Sequence, residues 1–392
     1  MLKRIQRSNL ERAPSFHTSD TEAPTPHERQ LVDKLTKRRQ KLLLGLNAVA
    51  LATATATSAY WGDVATNHEK ASTSTATITT VGESQHHHDT NATVFFDGFN
   101  ALSADYLATE MGPSVQQITD GKLMSVSYGN APLEPEKIAD KIIDLAHAQH
   151  LDSISLYGYS LGGIIGTEVA ADIVSKSDLR IDAIYLNLTP DGAQGLLPER
   201  QEEINAMEAI GSLPGAKYSN YLRFAGTMLA DADSYTHGAS AIDNWNNFQD
   251  AWQLADKEIK EEQRPGFWLL VDQVLAISNA NLNKNFQTIG HEREHKKQMP
   301  VVVYLGTARP GFDNTVNTAE SSESICTHAA QAGLQCYIYN VPGAQHAEYF
   351  DSVAAYNRTL GLAQDDLKAR IGREVASLTF DEQAPDPVAA EK

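Results

Sequence analysis

The feature that most constrains the fold is the segment SISLYGYSLGG, where an apolar run ends in Gly158-Tyr159-Ser160-Leu161-Gly162 and a helical pattern begins at once. The apolar run predicts a buried strand, and the apolar spacing that follows predicts an amphipathic helix. A serine at such a junction lies on a sharp, strained turn that presents its hydroxyl, and the flanking glycines avoid collisions with strand and helix. The segment therefore predicts Ser160 as a nucleophile.

Short apolar runs alternate with helical patterns from Thr93 onward, which is typical of a parallel sheet covered on both faces. An early strand is expected over residues 76–81. The other predicted strands are 93–98, 123–128, 153–158, 181–188, 300–306 and 335–341. The sequence therefore predicts an α/β fold with helices on both faces of the sheet.

The alternation stops between Leu188 and Pro300, where the sequence indicates helices and loops without a strong strand. Residues 192–297 are therefore interpreted as a helical cap. Trp245, Trp252 and Trp268 lie in apolar stripes of this insertion, and we expect some of its aromatic rings to face a substrate pocket. The alternative is that these rings form the insertion's own core.

Together, the strand, the Gly-x-Ser-x-Gly turn and the helix resemble the nucleophile elbow of the α/β-hydrolase superfamily. The resemblance covers residues 93–362 and implies a mostly parallel sheet with a helical cap. Residues 93–191 and 298–365 are accordingly predicted to form the core, and 366–392 a C-terminal helix and tail. It also implies a triad in the chain order nucleophile, acid, base.

The base predicted from this order is His346, because it follows an apolar strand in a glycine-containing loop. His237, His291 and His295 compete with it but lie in or beside the insertion among charged residues. Asp313 follows the preceding strand and is the predicted acid, which would fix the imidazole tautomer. Asp191, one strand earlier, remains an alternative because some family members carry the acid there.

The oxyanion hole needs two backbone N–H donors, and the elbow supplies one from Leu161. The second resembles the loop after the first core strand, FFDGFNA, where Phe99 is the predicted donor and Asn100 the alternative. The family often has His-Gly where this chain has Asp97-Gly98. Tyr159 and Asn100 are expected to contact substrate.

The N-terminal region differs in composition from the rest of the chain. Residues 1–40 predict a disordered basic tail, 41–62 a transmembrane signal anchor, and 63–92 a linker. Alternatively, 41–62 is a cleaved export signal or a soluble Ala-rich helix. The Lys/Arg residues before this segment predict a cytoplasmic tail and an extracytoplasmic catalytic domain, anchored to the membrane or secreted after cleavage.

Charge and cysteine content exclude several classes of protein. Residues 1–41 carry ten Lys/Arg and five Asp/Glu, which leaves 22 and 45 in the rest of the chain. A body this acidic makes nucleic acid an improbable partner. Cys326 and Cys336 show no pairing with His at the short spacings that zinc sites use, so no metal is expected; they form either a disulfide or two separate thiols.

The sequence therefore predicts a serine hydrolase that cleaves a carboxylic ester through an acyl-enzyme and needs no cofactor. Its expected substrate is a small-molecule or lipid-like ester with an apolar acyl or aryl group. Thioesterase, amidase or peptidase activity is possible on the same fold. A catalytically silent hydrolase fold that serves as a binding module is the alternative from another class.

Overall fold

The computed structural model describes residues 55–83, 90–230, 240–261, 264–296, 300–307, 311, 313–346 and 349–382. The chain divides into two compact units, Met1–Ala59 and Tyr60–Lys392. Of the first unit only residues 55–59 are described, and they are helical. The fold below is that of the second unit.

Within the described residues, seven strands form one sheet in the order β1-β3-β2-β4-β5-β6-β7. Only β1 runs antiparallel, against β3, and the other described pairs are parallel. Each observed strand overlaps its predicted range. The strands are β1 (Thr77–Gly82), β2 (Asn91–Phe96), β3 (Lys122–Ser127), β4 (Ser153–Tyr159), β5 (Arg180–Asn187), β6 (Val301–Thr307) and β7 (Gln335–Val341).

The central strands are buried on both faces, which explains their continuous apolar runs. In β6, Val302 and Tyr304 face one hydrophobic core, whereas Val301, Val303 and Leu305 face the other. This alternation is the period-two geometry of a strand. The first core is covered by α3 (Pro135–Ala148), α4 (Leu161–Lys176) and α10 (Thr318–Gln331), and the second by α2 (Asp105–Thr119) and α11 (Tyr349–Glu382).

The insertion between β5 and β6 contains five described α-helices. They are α5 (Pro198–Gly211), α6 (Asn220–Ala230), α7 (Ala241–Lys260), α8 (Phe267–Ser278) and α9 (Leu282–Lys296). The last helix, α9, is part of the predicted cap segment, but it packs into the core of the sheet. Leu282, Phe286 and Ile289 of α9 are fully buried in the first core, and α9 packs against α4. The predicted cap segment 192–297 therefore includes a helix that covers the sheet.

Residues 60–73 form a helix, α1, inside the region predicted as span and linker. Asp63 Oδ2 accepts a hydrogen bond from the backbone N–H of Asn220 at 2.7 Å, so it caps α6. Asn67 Nδ2 donates to Tyr218 O at 2.8 Å, and Tyr60 Oη donates to Pro214 O at 2.8 Å. Residues 60–67 are thus packed against the insertion.

The predicted span 41–62 lies largely outside the described residues, which begin at 55. Among the helices that the structure describes, none has the length and apolar character needed to cross a bilayer.

A disulfide joins Cys326 of α10 to Cys336 of β7, with the Cα atoms 5.3 Å apart. Of the two alternatives for these cysteines, the structure has the disulfide. It connects the edge strand β7 to the helix that covers the adjacent β6, and β7 leads into the loop that carries His346. The bond therefore restrains the strand that delivers a predicted site residue.

We predict that replacing both cysteines, Cys326→Ala with Cys336→Ala, lowers the free energy of unfolding by about 2–3 kcal/mol. Without the disulfide, the unfolded chain is no longer restricted by a closed loop and gains conformational entropy. Urea unfolding of the variant and the parent measures this. Reduction of the parent with dithiothreitol should lower its stability similarly. Unchanged stability in both experiments would contradict the prediction.

Candidate active site

Ser160 lies between β4 and α4 with φ 53° and ψ −124°, in the left-handed region that non-glycine residues rarely occupy. The turn is tight on both sides. A Cβ at Gly158 would lie 2.4 Å from the backbone of Gly162, and one at Gly162 would lie 2.2 Å from Phe96 O. Both positions therefore require glycine, which is the physical basis of the Gly-x-Ser-x-Gly pattern. Ser160 itself keeps 7% of its surface exposed.

His346 follows β7, and its Nε2 lies 2.7 Å from Ser160 Oγ. Its loop is held by the residue before the serine, because Tyr159 Oη donates to the backbone carbonyl of His346 at 2.5 Å. Burial raises the pKa of the Tyr159 hydroxyl well above its usual value, with the nearby Asp313 and Asp97 adding to the shift. Tyr159 therefore remains a neutral donor that fixes the His346 loop.

Asp313 follows β6, and its Oδ2 lies 3.3 Å from His346 Nδ1. The other carboxylate oxygen accepts the backbone N–H groups of Thr315 and Val316, both at 2.8 Å. Asp313 is 2% exposed, so these bonds orient its carboxylate toward the imidazole in a largely dry setting. The structure thus brings Ser160, His346 and Asp313 together, with the imidazole between the hydroxyl and the carboxylate.

The loop after β2 lies against the serine, since a Cβ on Gly98 would be 3.2 Å from Ser160 Cβ. Within this loop, the N–H of Asn100 is already engaged, because it donates to Gln273 Oε1 at 2.9 Å. This occupation favours Phe99 over Asn100 as the second oxyanion donor. Leu161 is the first residue of α4, where an N–H group has no acceptor within the helix.

The mostly parallel sheet thus carries a strained serine after its central strand β4, and Asp313 and His346, which contact one another, follow β6 and β7 in chain order. The chain has the α/β-hydrolase fold.

No protein-family model and no curated protein matches the chain. Among solved structures, it is similar to a lipase-esterase related protein from Clostridium acetobutylicum (15% identity, 72% of this chain, 96% of that chain, TM-score 0.40). It is also similar to a thermophilic esterase from Thermogutta terrifontis (12%, 75%, 94%, 0.42) and a haloalkane dehalogenase from Agrobacterium tumefaciens (10%, 75%, 97%, 0.45).

Asp191 is the alternative candidate for the acid, but its carboxylate contacts residues other than His346. Its carboxylate accepts a short hydrogen bond from Ser324 Oγ and lies 3.4 Å from His328 Nε2, and both partners belong to α10. His346 is instead paired with Asp313. The geometry therefore favours Asp313 as the acid.

The aromatic residues predicted to contact substrate occupy different environments. Trp268 of α8 is 6% exposed, and its indole N–H donates to Asn130 O at 2.7 Å. Trp245 and Trp252 of α7 are 59% and 50% exposed. The ring of Trp252 lies edge-on to Phe224 of α6, with the centroids 4.6 Å apart. Their effect on substrate choice stays a prediction.

Sequence reasoning missed Gln273, a fully buried side chain of α8 that bonds the loop beside Ser160. It also gave no indication that the Tyr159 hydroxyl bonds the His346 loop; the substrate contact assigned to Tyr159 stays a prediction. Neither role has a local signal in the sequence, because each depends on a contact more than 170 residues away along the chain.

Asp97 is a buried carboxyl in the loop after β2, directly before Gly98, which lies against the serine. Burial raises the pKa of its carboxyl to about 6, although the hydrogen bond from the Gly98 N–H acts in the opposite direction. Ionised Asp97 therefore costs the folded protein free energy. This cost appears as the pH rises from about 4 through 6, because the unfolded carboxyl ionises first.

We predict that Asp313→Asn slows labelling of Ser160 by a fluorophosphonate probe by roughly three to four orders of magnitude, since an amide cannot hold the reactive imidazole tautomer. The matched variant Asp191→Asn should label within a few-fold of the parent rate. Stopped-flow or gel-based labelling measures both rates. The opposite ranking would move the acid to Asp191.

Proposed function

We propose that this protein is a serine hydrolase that cleaves a carboxylic ester through an acyl-enzyme intermediate. The observation that carries the proposal is the 2.7 Å contact between Ser160 Oγ and His346 Nε2, with Nδ1 of the same ring facing Asp313 Oδ2. This arrangement suits proton transfer from the hydroxyl to the imidazole as the oxygen attacks a carbonyl carbon.

In the acylation step, Ser160 Oγ forms a bond to the ester carbonyl carbon while its proton moves to His346 Nε2. The Asp313 carboxylate stabilises the imidazolium and is not itself protonated. Collapse of the tetrahedral intermediate breaks the bond to the leaving alkoxide, which takes the proton from His346. A water molecule then attacks the acyl-enzyme by the same route, which releases the acid and regenerates Ser160.

The negative charge on the carbonyl oxygen is stabilised by the N–H groups of Leu161 and Phe99 in this proposal. The position of Leu161 at the N-terminus of α4 supports this role, because the helix dipole favours negative charge there. The bond from the Asn100 N–H to Gln273 supports Phe99 rather than Asn100. Fixed donors of this kind typically contribute about 10²–10³-fold each in kcat.

An apolar acyl group is the proposed preference, in a small-molecule or lipid-like ester. The Phe99 side chain supports this, since it is 39% exposed in the loop whose Gly98 packs against Ser160. Thioesters and amides would pass through the same intermediate, so a substrate panel decides among them.

We predict that Ser160→Ala lowers kcat for any accepted ester by roughly 10⁴-fold or more while the protein stays folded.

The substrate panel consists of p-nitrophenyl esters of increasing chain length, a matched thioester and a matched anilide. Faster turnover of the thioester or the anilide would replace the ester assignment.

The matched control is Ser324→Ala, which removes a serine hydroxyl from the Asp191 cluster and should leave kcat nearly unchanged. Retention of ester turnover by the Ser160 variant would rule out the proposed mechanism.

The catalytic unit is further proposed to lie outside the cytoplasm, anchored by the segment 41–62. The Cys326–Cys336 disulfide supports this location, because disulfides persist mainly in oxidising compartments.

We predict that protease added to intact cells digests the region after residue 63 and spares the basic tail. Quantitative trapping of both thiols by alkylation in intact cells, together with full protection from protease, would place the unit in the cytoplasm.

A further inference from the structure

The side chain of Gln273 connects the insertion to the loop beside the nucleophile. It belongs to α8, is fully buried, and accepts the Asn100 N–H at 2.9 Å. Its Nε2 also donates to Ala101 O at 3.3 Å. One carboxamide therefore bonds two successive residues of a loop that contacts Ser160 through Gly98.

The two ends of this loop are held by Tyr128, the residue that follows β3. Tyr128 Oη donates to Asp97 O at 3.1 Å, and the Tyr128 N–H donates to Leu102 O at 2.7 Å. Between these points, Asn100 has φ 64°, a left-handed conformation that costs free energy for a non-glycine residue. The bond from Gln273 stabilises the chain where it is strained.

The same bond determines which N–H group the loop presents. If the Asn100 N–H pointed toward the substrate, it would compete with Phe99 for the oxyanion, and the strained turn would lose its support. With Gln273 as its acceptor, the Asn100 N–H points to the insertion, and the preceding Phe99 N–H is the one left for the oxyanion. The geometry of the oxyanion hole thus depends on a residue outside the catalytic core.

Gln273 is itself held in place, because α8 is docked on the loop after β3. The Leu133 N–H donates to Asp272 Oδ2 at 3.3 Å, and Lys217 Nζ lies 3.1 Å from Asp272 Oδ1. The Trp268 indole N–H adds its bond to Asn130 O. Asp272 and Gln273 are thus neighbours on one helix that bond two different loops at the same end of the sheet.

We propose that Gln273 is a positioning residue that holds the loop 98–101 so that the Phe99 N–H completes the oxyanion hole. The insertion then supplies part of the catalytic geometry. This inference rests on the proposed hydrolase function. Gln273 acts through the loop backbone and does not touch the reacting atoms.

The test is Gln273→Met, which keeps the length of the side chain but removes both hydrogen bonds. It should lower kcat for a short-chain p-nitrophenyl ester by about 10²-fold, the cost of losing one oxyanion donor, with KM changed less than threefold. Affinity for a trifluoromethyl ketone, which forms a tetrahedral adduct with the serine, should fall by a similar factor.

The matched control is Gln201→Met, the same substitution in α5, where the side-chain amide donates to Leu196 O and bonds no residue of the loop beside Ser160. Its kcat and trifluoromethyl ketone affinity should stay within threefold of the parent, even if its melting temperature falls. A merely structural Gln273 would lower the melting temperature of its variant without this loss of kcat.

Two results would overturn the inference while the proposed function stands. One is an active parent with a folded Gln273→Met variant whose kcat lies within threefold of it. The other is a loss of kcat without a parallel loss of trifluoromethyl ketone affinity. A parent that neither turns over any ester nor reacts with a fluorophosphonate would instead overturn the proposed function, and the inference with it.

Discussion

The left-handed backbone of Ser160 is tolerated because the chain on either side of it has no side chain to collide. At Gly158 and Gly162 an added Cβ would approach backbone atoms to within 2.4 Å, closer than any real contact. The Ser160 N–H donates to Asn187 O at 2.7 Å, which ties the turn to the end of β5. Strain at this one residue is therefore balanced by packing between β4, α4 and the neighbouring strands.

The parallel sheet brings the other parts of the site to the same place. The carboxyl ends of β2, β4, β6 and β7 lie along one edge, and the loop that contains Gly98, Ser160, Asp313 and His346 each follow one of these strands. Each loop is then fixed by specific bonds, such as the two backbone N–H groups on Asp313 and the Tyr159 hydroxyl on the His346 carbonyl. The sheet sets the approximate positions and the hydrogen bonds set the final geometry.

What could be predicted from the sequence is what short segments encode. The strands were found because buried parallel strands are continuous apolar runs, and the triad candidates because each follows such a run in chain order. The helix over residues 60–73 was missed, since its Thr- and Ser-containing sequence has a weak apolar stripe and its packing depends on distant Pro214 and Tyr218. The sequence predicts α9 as part of the cap, but the buried residues of α9 pack against α4. This contact joins helices that are distant in sequence, so no local pattern indicates it. Gln273 was missed because an isolated glutamine in an apolar helix has no pattern that indicates its partner.

The central claim is that Ser160 is the activated nucleophile of this molecule. Reaction of the full-length protein with a fluorophosphonate, followed by intact-mass and peptide mass spectrometry, tests it most directly. We expect one adduct per chain, located on Ser160, and its loss in His346→Ala at the same exposure. Absence of any adduct, or an adduct on another serine such as Ser324, would contradict the claim.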